Sequence, residues 1–360
     1  VFRGEAKHKG APVTNTTTTA ATPADAATPA GQPPADKPKE PELIRVRIDQ
    51  LRMEAEDVRG IELVTEAGAP LPVFKAGAHV DIGVILPTRE RVMRSYSIAS
   101  PPSEQPFVYH LVIQYEEHGT GGSIFLHERV KQNYILEITP PKNFFELKED
   151  AEHSILIAGG VGIAPILAMA YELNEKQKPF ELHYTAHTQR RMGMTKQVQS
   201  FGPAAHMYVG RDPKNGGIDL RGILASPKPS THVYVCGPHT MIDDVYKLGR
   251  EAGWADGTIH SEVFKKPDPR PGDGPVDVVI RSTGQVVSVP PKVSILDALL
   301  AAGVKQEFDC KVGTCGTCAV NAVGGTPDHR DNCLLNAERA AGRMCTCVSR
   351  AQTPRLVLDL

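Results

Sequence analysis

Apolar and charged residues alternate through Ile44-Arg45-Val46-Arg47-Ile48 and again through Ile61-Glu62-Leu63-Val64. That period of two belongs to strands with one buried face. Short runs of similar character follow at His79-Val80-Asp81-Ile82, Arg94-Ser95-Tyr96-Ser97-Ile98, Tyr109-His110-Leu111-Val112-Ile113 and Ile135-Leu136-Glu137-Ile138. Regular short strands separated by turn residues predict a small antiparallel β-barrel over residues 42–148. Beyond it the pattern changes. Ser154-Ile155-Leu156-Ile157-Ala158 is a continuous apolar run, followed by a glycine turn and a helical stretch from Ile166 to Leu173. Strands at Phe180–Tyr184 and Thr231–Val235 and a helix around Met241–Val245 continue the alternation. It predicts an α/β unit with a parallel sheet over residues 149–264.

Two stretches lack any such period. Residues 1–41 are low-complexity, with Thr14–Thr19 almost all threonine and Ala-Thr-Pro repeats running to Pro33-Pro34. They bury too little to offset ordering entropy and read as a disordered tail or an interdomain linker. The first residue is Val1 rather than Met, which favours a linker joined to an upstream partner domain. Residues 265–275, Lys-Lys-Pro-Asp-Pro-Arg-Pro-Gly-Asp-Gly-Pro, form a proline-rich hinge that tethers a last unit over residues 276–360.

Composition narrows the class. With 360 residues there is room for two or three domains. A net charge of −2 gives no electrostatic case for nucleic acid or an anionic membrane as a partner. No apolar run approaches the ~20 residues needed to span a bilayer. Seven cysteines, odd in number and mostly clustered, argue for a reducing cytoplasm and metal ligation over a disulfide framework.

The sharpest chemistry sits in that cysteine cluster. Cys310, Cys315 and Cys318 follow a C-x4-C-x2-C spacing, and Cys347 lies further on. Three thiolates on one tight loop with a distant fourth suit a plant-type 2Fe–2S cluster. Gly313, Thr314, Gly316 and Thr317 let the loop wrap closely, so that backbone N–H groups point at the sulfurs. A zinc site is the rival reading, but zinc favours a second close C-x2-C pair and Cys345-x-Cys347 is poorly spaced for one. Cys345 competes as fourth ligand, while the Cys-Val-Ser-Arg context favours Cys347. Cys333 reads as a small apolar filler.

Weaker motifs lie upstream. Arg94-Ser95-Tyr96-Ser97 carries a phosphate-binding cation, an aromatic ring and hydroxyls on one strand, with Arg94 and Tyr96 on one side and Ser95 and Ser97 on the other. His118-Gly119-Thr120-Gly121-Gly122-Ser123 runs into an apolar segment, as a phosphate cradle at a helix start would, or a glycine-rich hairpin turn. Gly159-Gly160-Val161-Gly162-Ile163-Ala164-Pro165 joins strand to helix, with a G-G-x-G spacing instead of the dinucleotide G-x-G-x-x-G. Cys236-Gly237-Pro238 ends a strand of the parallel sheet, where ligands of such sheets sit.

In this order the motifs resemble the phthalate dioxygenase reductase type of the ferredoxin–NADP reductase superfamily, over about Glu42 to Leu360. The resemblance implies a flavin barrel, a nicotinamide domain and a C-terminal ferredoxin of α+β, β-grasp type. It also implies residue roles. Arg94 would bind the FMN phosphate, with Ser95 beside it; Tyr96 would contact the isoalloxazine and Ser97 hydrogen-bond near its N5. Gly121, Gly122 and Ser123 would close on the phosphate. Gly159, Gly160 and Gly162 would let the dinucleotide approach, with Cys236, Gly237 and Pro238 near the nicotinamide and Glu262 and Phe264 at the flavin face. FMN is preferred to FAD on the resemblance alone. The chain departs from the family pattern at Ala164 (often Thr), at His187-Thr188 (often Arg-Ser) and at Thr120 (arginine in some relatives).

The implied function is transfer of electrons from NAD(P)H through FMN and the 2Fe–2S cluster to a terminal metalloenzyme, whether Rieske oxygenase, haem monooxygenase or another, separate or fused N-terminally. Ser97, Cys236 and Glu262 are the expected catalytic residues. Between Thr185 and Met194 there is no acidic residue to read a 2′-hydroxyl, while Thr188, Arg190 and Arg191 suit a 2′-phosphate, so NADPH is expected over NADH. Two alternatives stay open: an electron-transfer or docking module whose nicotinamide site has decayed, and a free-standing flavin or ferric reductase.

Overall fold

The computed structural model describes residues 42–210 and 212–360. The expectation of a disordered segment over residues 1–41 therefore falls outside the described residues.

The first sheet is antiparallel. Its strands are β1 (Ile44–Ala55), β2 (Val58–Thr65), β3 (Ala78–Ile85), β4 (Arg91–Ser97), β5 (Tyr109–Gln114), β6 (Ile135–Ile138) and β7 (Lys142–Asn143). They pair in the order β4-β3-β6-β1-β2-β5, with β7 on β3. The two end strands meet through one bridge, Ile98 to Leu111, so the hydrogen-bonded path is an open sheet rather than a closed cylinder. The alternation in β1 places Val46 and Ile48 in a core with Ile61, Leu63, Val80, Ile82, Leu111 and Ile138. A short helix α1 (Gly122–Ile124), continued by a π-helical turn over Phe125–Arg129, follows β5. It drops Phe125 and Leu126 into the same core.

The second sheet is parallel throughout, in the order β10-β9-β8-β11-β12. Its strands are β8 (His153–Gly159), β9 (Phe180–Ala186), β10 (Ala205–Val209), β11 (Thr231–Cys236) and β12 (Ile259–Glu262). Helices cover both faces, so the central strand β8 is buried along nearly its whole length and reads as an unbroken apolar run. Helix α2 (Ile163–Glu175) is apolar and buried all round from Ile163 to Ala170 for the same reason. It packs between this sheet and the first one, in a core that joins Leu167 and Met169 to Val112 and Phe145. The two sheets thus share a dry seam. Small helices α3 (Thr195–Gln199) and α4 (Leu220–Leu224) precede α5 (His239–Ala252), which stops at Gly253 in the left-handed region, its N–H bonded back to Arg250.

The last unit contains β13 (Val276–Ile280), β14 (Val286–Val289), β15 (Ala319–Gly324), β17 (Arg343–Cys345) and β19 (Arg355–Leu358), ordered β14-β13-β19-β15-β17. A separate pair joins β16 (Pro327–Asp328) to β18 (Arg350–Ala351). Helix α6 (Ile295–Ala301), capped by Ser294 through the Asp297 N–H, fills the core against β14, and α7 (Asn336–Ala340) lies near β17. Residues 265–275 are strapped down rather than loose. Asp273 takes a two-pronged ion pair from Arg330 at 2.6 and 2.8 Å, and Lys266 reaches Asp297 at 3.1 Å. No helix among the described residues is long and apolar enough to cross a membrane.

Candidate functional site

The glycine loop and the β4 tetrapeptide come together. A Cβ on Gly122 would lie 2.8 Å from Arg94 Cγ and 3.5 Å from the Tyr96 hydroxyl, so only glycine lets the loop sit against both side chains. Gly121 has φ of 98° and starts α1. Arg94 is held by Thr120, whose Oγ1 accepts from Nε at 3.2 Å and from Nη2 at 3.0 Å. A threonine that orients the guanidinium thus stands where an arginine was expected in some relatives. Two predicted residues point elsewhere. Ser95 donates to Asp81 on the opposite strand face, as alternation requires, and Ser123 accepts the Glu116 N–H at 3.1 Å to close the loop.

Ser97 is the meeting point of the two sheets. Its hydroxyl donates to Glu262 Oε2 at 3.0 Å across 165 residues of sequence, and both side chains are buried. Parallel pairing sets Glu262 beside Cys236 in register. Burial pushes the Glu262 carboxyl up to about 8, with the Ser97 hydrogen bond opposing that rise, so the group is largely protonated at neutral pH. Burial, and then the neighbouring Glu262, also push the Cys236 thiol well above its ordinary value, which keeps the sulfur neutral. Phe264 follows on the exposed side of the strand end, 45% accessible.

The G-G-x-G turn is a packing device as well as an opening. A Cβ on Gly162 would strike the Cys236 carbonyl oxygen at 2.2 Å, and one on Gly159 would meet Pro238 and Met241 below 3 Å. Gly237 is likewise pressed against Gly159. Gly160, at φ 57°, faces open space. The end of β8 and the end of β11 therefore touch, leaving room for a ligand backbone above Gly160. Ala164 is buried in the core, with no hydroxyl to offer.

Past β9, Thr188 opens a short turn over Gln189–Arg191 on the surface. The structure divides the two arginines. Arg191 Nη2 donates to Asp57 at 2.9 Å, so its charge is matched by the first sheet's β1–β2 turn. Arg190 is exposed, and no side-chain partner for it occurs among the described residues. Of the two arginines, Arg191 thus has a carboxylate partner and Arg190 has none among the described residues.

In the last unit the four predicted ligands converge on one place. The thiols of Cys315 and Cys347 both act on Cys310 and hold it well below the ordinary thiol range. Cys318 is likewise held below the ordinary thiol range, by Cys345 first and then Cys347. Cys347 therefore neighbours both Cys310 and Cys318, whereas Cys345 neighbours Cys318 and Cys333. The donor set has the softness and number that a 2Fe–2S cluster needs. The loop's shape depends on left-handed positions at Lys311, Gly313 and Gly316, with φ of 56°, 83° and 74°. Gly313 cannot carry a side chain, because a Cβ there would meet Val348 at 2.7 Å. Thr346 buttresses the fourth ligand by donating from Oγ1 to the Cys318 carbonyl at 3.1 Å. Cys333 packs half-buried against the apolar cluster of Leu296, Leu334 and Val348, and its sulfur lies 3.4 Å from that of Cys345.

Sequence reasoning missed the link between the two redox sites. Lys142 bridges Asp81 and Asp309 at 3.2 Å each, which joins the cluster loop to the first sheet. His79, buried and paired with Ser97 in the β3–β4 register, rests its ring on Phe144. Burial lowers its pKa, while Asp81, Asp309 and Cys310 act against that. His79 lies on the strand face opposite the core residues Ala78, Val80 and Ile82, so alternation alone gave no signal of its burial.

Comparison with known proteins agrees with this arrangement. The profile for a dimethylamine monooxygenase subunit DmmA-like N-terminal domain matches residues 134–259, and that for a 2Fe-2S iron-sulfur cluster binding domain matches residues 278–352. Vanillate O-demethylase oxidoreductase from Pseudomonas sp. (strain HR199 / DSM 7063) is 38% identical over 88% of this chain and 100% of that protein. The solved phthalate dioxygenase reductase is 31% identical, with a TM-score of 0.62 over 88% of this chain and 98% of that one. An intact type IV self-sufficient cytochrome P450 monooxygenase is 31% identical with a TM-score of 0.68, and this chain spans 41% of its length.

Proposed function

The chain belongs to the family of oxygenase-linked reductases that includes vanillate O-demethylase oxidoreductase and phthalate dioxygenase reductase, within the ferredoxin–NADP reductase superfamily, and from that premise we propose how its own residues divide the work. It is an NAD(P)H-dependent flavin iron–sulfur oxidoreductase that passes electrons to a partner metalloenzyme. Bound flavin supplies conversion of a two-electron hydride into single electrons, and the 2Fe–2S cluster supplies a one-electron carrier.

The observation that carries the division of roles is the Ser97–Glu262 bond, which fixes the seam of the two sheets beside Cys236. Arg94, set by Thr120, and the Gly121-Gly122 loop bind the flavin phosphate, and FMN is the fitting flavin. Tyr96 supplies a flat wall. Ser97 and protonated Glu262 keep the seam free of a buried negative charge where hydride arrives. Neutral Cys236 packs at the nicotinamide. The first sheet acts as the flavin domain, the second as the nucleotide domain, and the last unit as a β-grasp ferredoxin whose ligands are Cys310, Cys315, Cys318 and Cys347. Arg190 gives NADPH the advantage over NADH. The partner is an oxygenase; a haem monooxygenase fused upstream is the second reading, favoured by the match to the self-sufficient P450. The cytoplasmic reading rests on cysteine usage alone.

Anaerobic stopped-flow mixing with NADPH tests this. Flavin bleaching followed by a reduced-cluster electron paramagnetic resonance signal is the expected result. Absence of flavin reduction by either nucleotide sinks it and favours the docking module.

A further inference from the structure

We propose that Cys333 and Cys345 form a reversible, peroxide-responsive disulfide beside the cluster. The proposal rests on the reading above that assigns the ligand role to Cys347 and leaves these two thiols outside the cluster.

The geometry favours a bond. The two sulfurs already lie 3.4 Å apart, and small side-chain rotations close that gap to the ~2.05 Å of a disulfide. Their accessibilities differ in a useful way. Cys345 is fully buried, whereas Cys333 is half-buried and lines a cleft of about 880 Å³ together with Tyr246, Asp331 and Leu334. An oxidant arriving through the cleft meets Cys333 first, and Cys345 stands behind it as the resolving thiol. Asp331 lies close enough to both sulfurs to raise the competing idea of a metal site. Its carboxylate, however, already accepts from Arg339 Nη2 at 3.1 Å and from the Leu334 N–H at 3.1 Å. A guanidinium on that carboxylate opposes a second cation, so a bond between the sulfurs is the better use of the pair.

The chemistry balances with hydrogen peroxide as oxidant. The Cys333 sulfur attacks one peroxide oxygen, the O–O bond breaks, and one water leaves as the sulfenic acid forms. The Cys345 sulfur then displaces the sulfenic oxygen as a second water, so that two thiols are oxidised and one peroxide is reduced. A small-molecule dithiol reverses the step by exchange.

The cross-link would act on a particular segment. Residues 332–336 reach helix α5 and the loop after it, beside the nucleotide sheet, with the Tyr246 hydroxyl donating to the Asn332 carbonyl at 3.4 Å and the Asn336 N–H donating to Asp256 at 2.9 Å. Cys345 ends β17, two residues before Cys347. The disulfide therefore ties the segment that contacts α5 to the strand that carries the distant ligand, and steadies the cluster under oxidation.

The test uses the full-length holoprotein prepared anaerobically, treated with one equivalent of hydrogen peroxide, alkylated and mapped by non-reducing peptide mass spectrometry. Iron content and the visible spectrum are followed in parallel. The expected result is a Cys333–Cys345 linked peptide, loss of about two free thiols per chain with iron retained, and reversal by dithiothreitol. The cluster-loss temperature should rise by roughly 5 °C in the oxidised protein and stay put in Cys333→Ser treated alike. Sulfinic acid at Cys333 with Cys345 untouched overturns the proposal, as does a link that appears only as iron is lost. Zinc held by the pair in iron-complete protein overturns it too. Loss of iron in Cys345→Ala before any peroxide is added would instead break the ligand assignment, so the two failures are distinguishable.

Discussion

The cluster loop and the flavin–nicotinamide seam solve opposite problems of assembly. Three of the four proposed ligands lie within nine residues, and the loop's left-handed glycines shape them locally. The seam instead joins Ser97 of β4 to Glu262 of β12, two residues from different sheets that meet only when both have folded and packed on α2. A local site survives damage elsewhere, and an assembled one does not. Mutations should therefore affect the two sites separately if the contrast is sound.

The largest effect is expected at the cluster. Cys347→Ser should lose or distort it while flavin content holds, and Cys345→Ser should retain about two irons per chain. Iron and sulfide analysis with the visible spectrum checks both; equal loss in the two variants would show that the fourth ligand is not unique. Next in size is Arg94→Ala. Removing a charge-assisted phosphate contact of roughly 1.5–3 kcal/mol should weaken flavin retention about ten- to hundredfold, with cluster content unchanged. Equilibrium dialysis of flavin measures it, and unchanged retention moves the phosphate site elsewhere.

A smaller shift is expected at the nucleotide loop. Arg190→Glu should lower kcat/KM for NADPH about tenfold and leave NADH nearly untouched, while the Arg191 counterpart, tied to Asp57, should move the ratio less. Steady-state kinetics with both nucleotides decides this, and a wild-type enzyme that uses NADH at least as well removes the premise. The last expected effect is on stability rather than on activity, a pH dependence at the seam. Glu262 binds its proton more tightly folded, near 8, than unfolded, near 4.5. That group's contribution to stability is fully present below 4.5 and is lost as pH rises through 8. Glu262→Gln should flatten this decline in chemical denaturation curves taken between those limits, and a variant with the same slope as wild type would falsify the assignment.

The same contrast explains what could be read from sequence. Periodicity located β1 to β6 of the first sheet, because each half-buried strand writes its burial into alternation, but it ended β1 at Ile48 rather than Ala55 and missed the two-residue β7. It missed β10, whose residues are mostly half-buried or exposed at a sheet edge, and β12, which is short and polar. The cysteine spacing was legible because the loop is local. The partnership of Ser97 with Glu262 was available only through resemblance, since no period or spacing spans 165 residues. The ion pair of Arg191 was not legible because its partner, Asp57, lies far upstream on another sheet. The contact of Cys333 with Cys345 was not legible for a similar reason: it depends on how β17 and the segment before α7 come together.

Lys142 shows how such a molecule can hold its cluster near the flavin and still let it go. The lysine serves two carboxylates, Asp81 on its own sheet and Asp309 on the cluster loop. When the loop is docked, the cation is shared. When it departs, the cation keeps Asp81 and the carboxylate of Asp309 returns to water. Neither movement strands an unpaired charge in a dry place, which is the main penalty when a buried ion pair is split. The joint is therefore cheap to open and specific to close. An electron carrier that must face its donor and then its acceptor has use for a contact of that kind, and its occupancy should fall as added salt screens the outer half of the bridge.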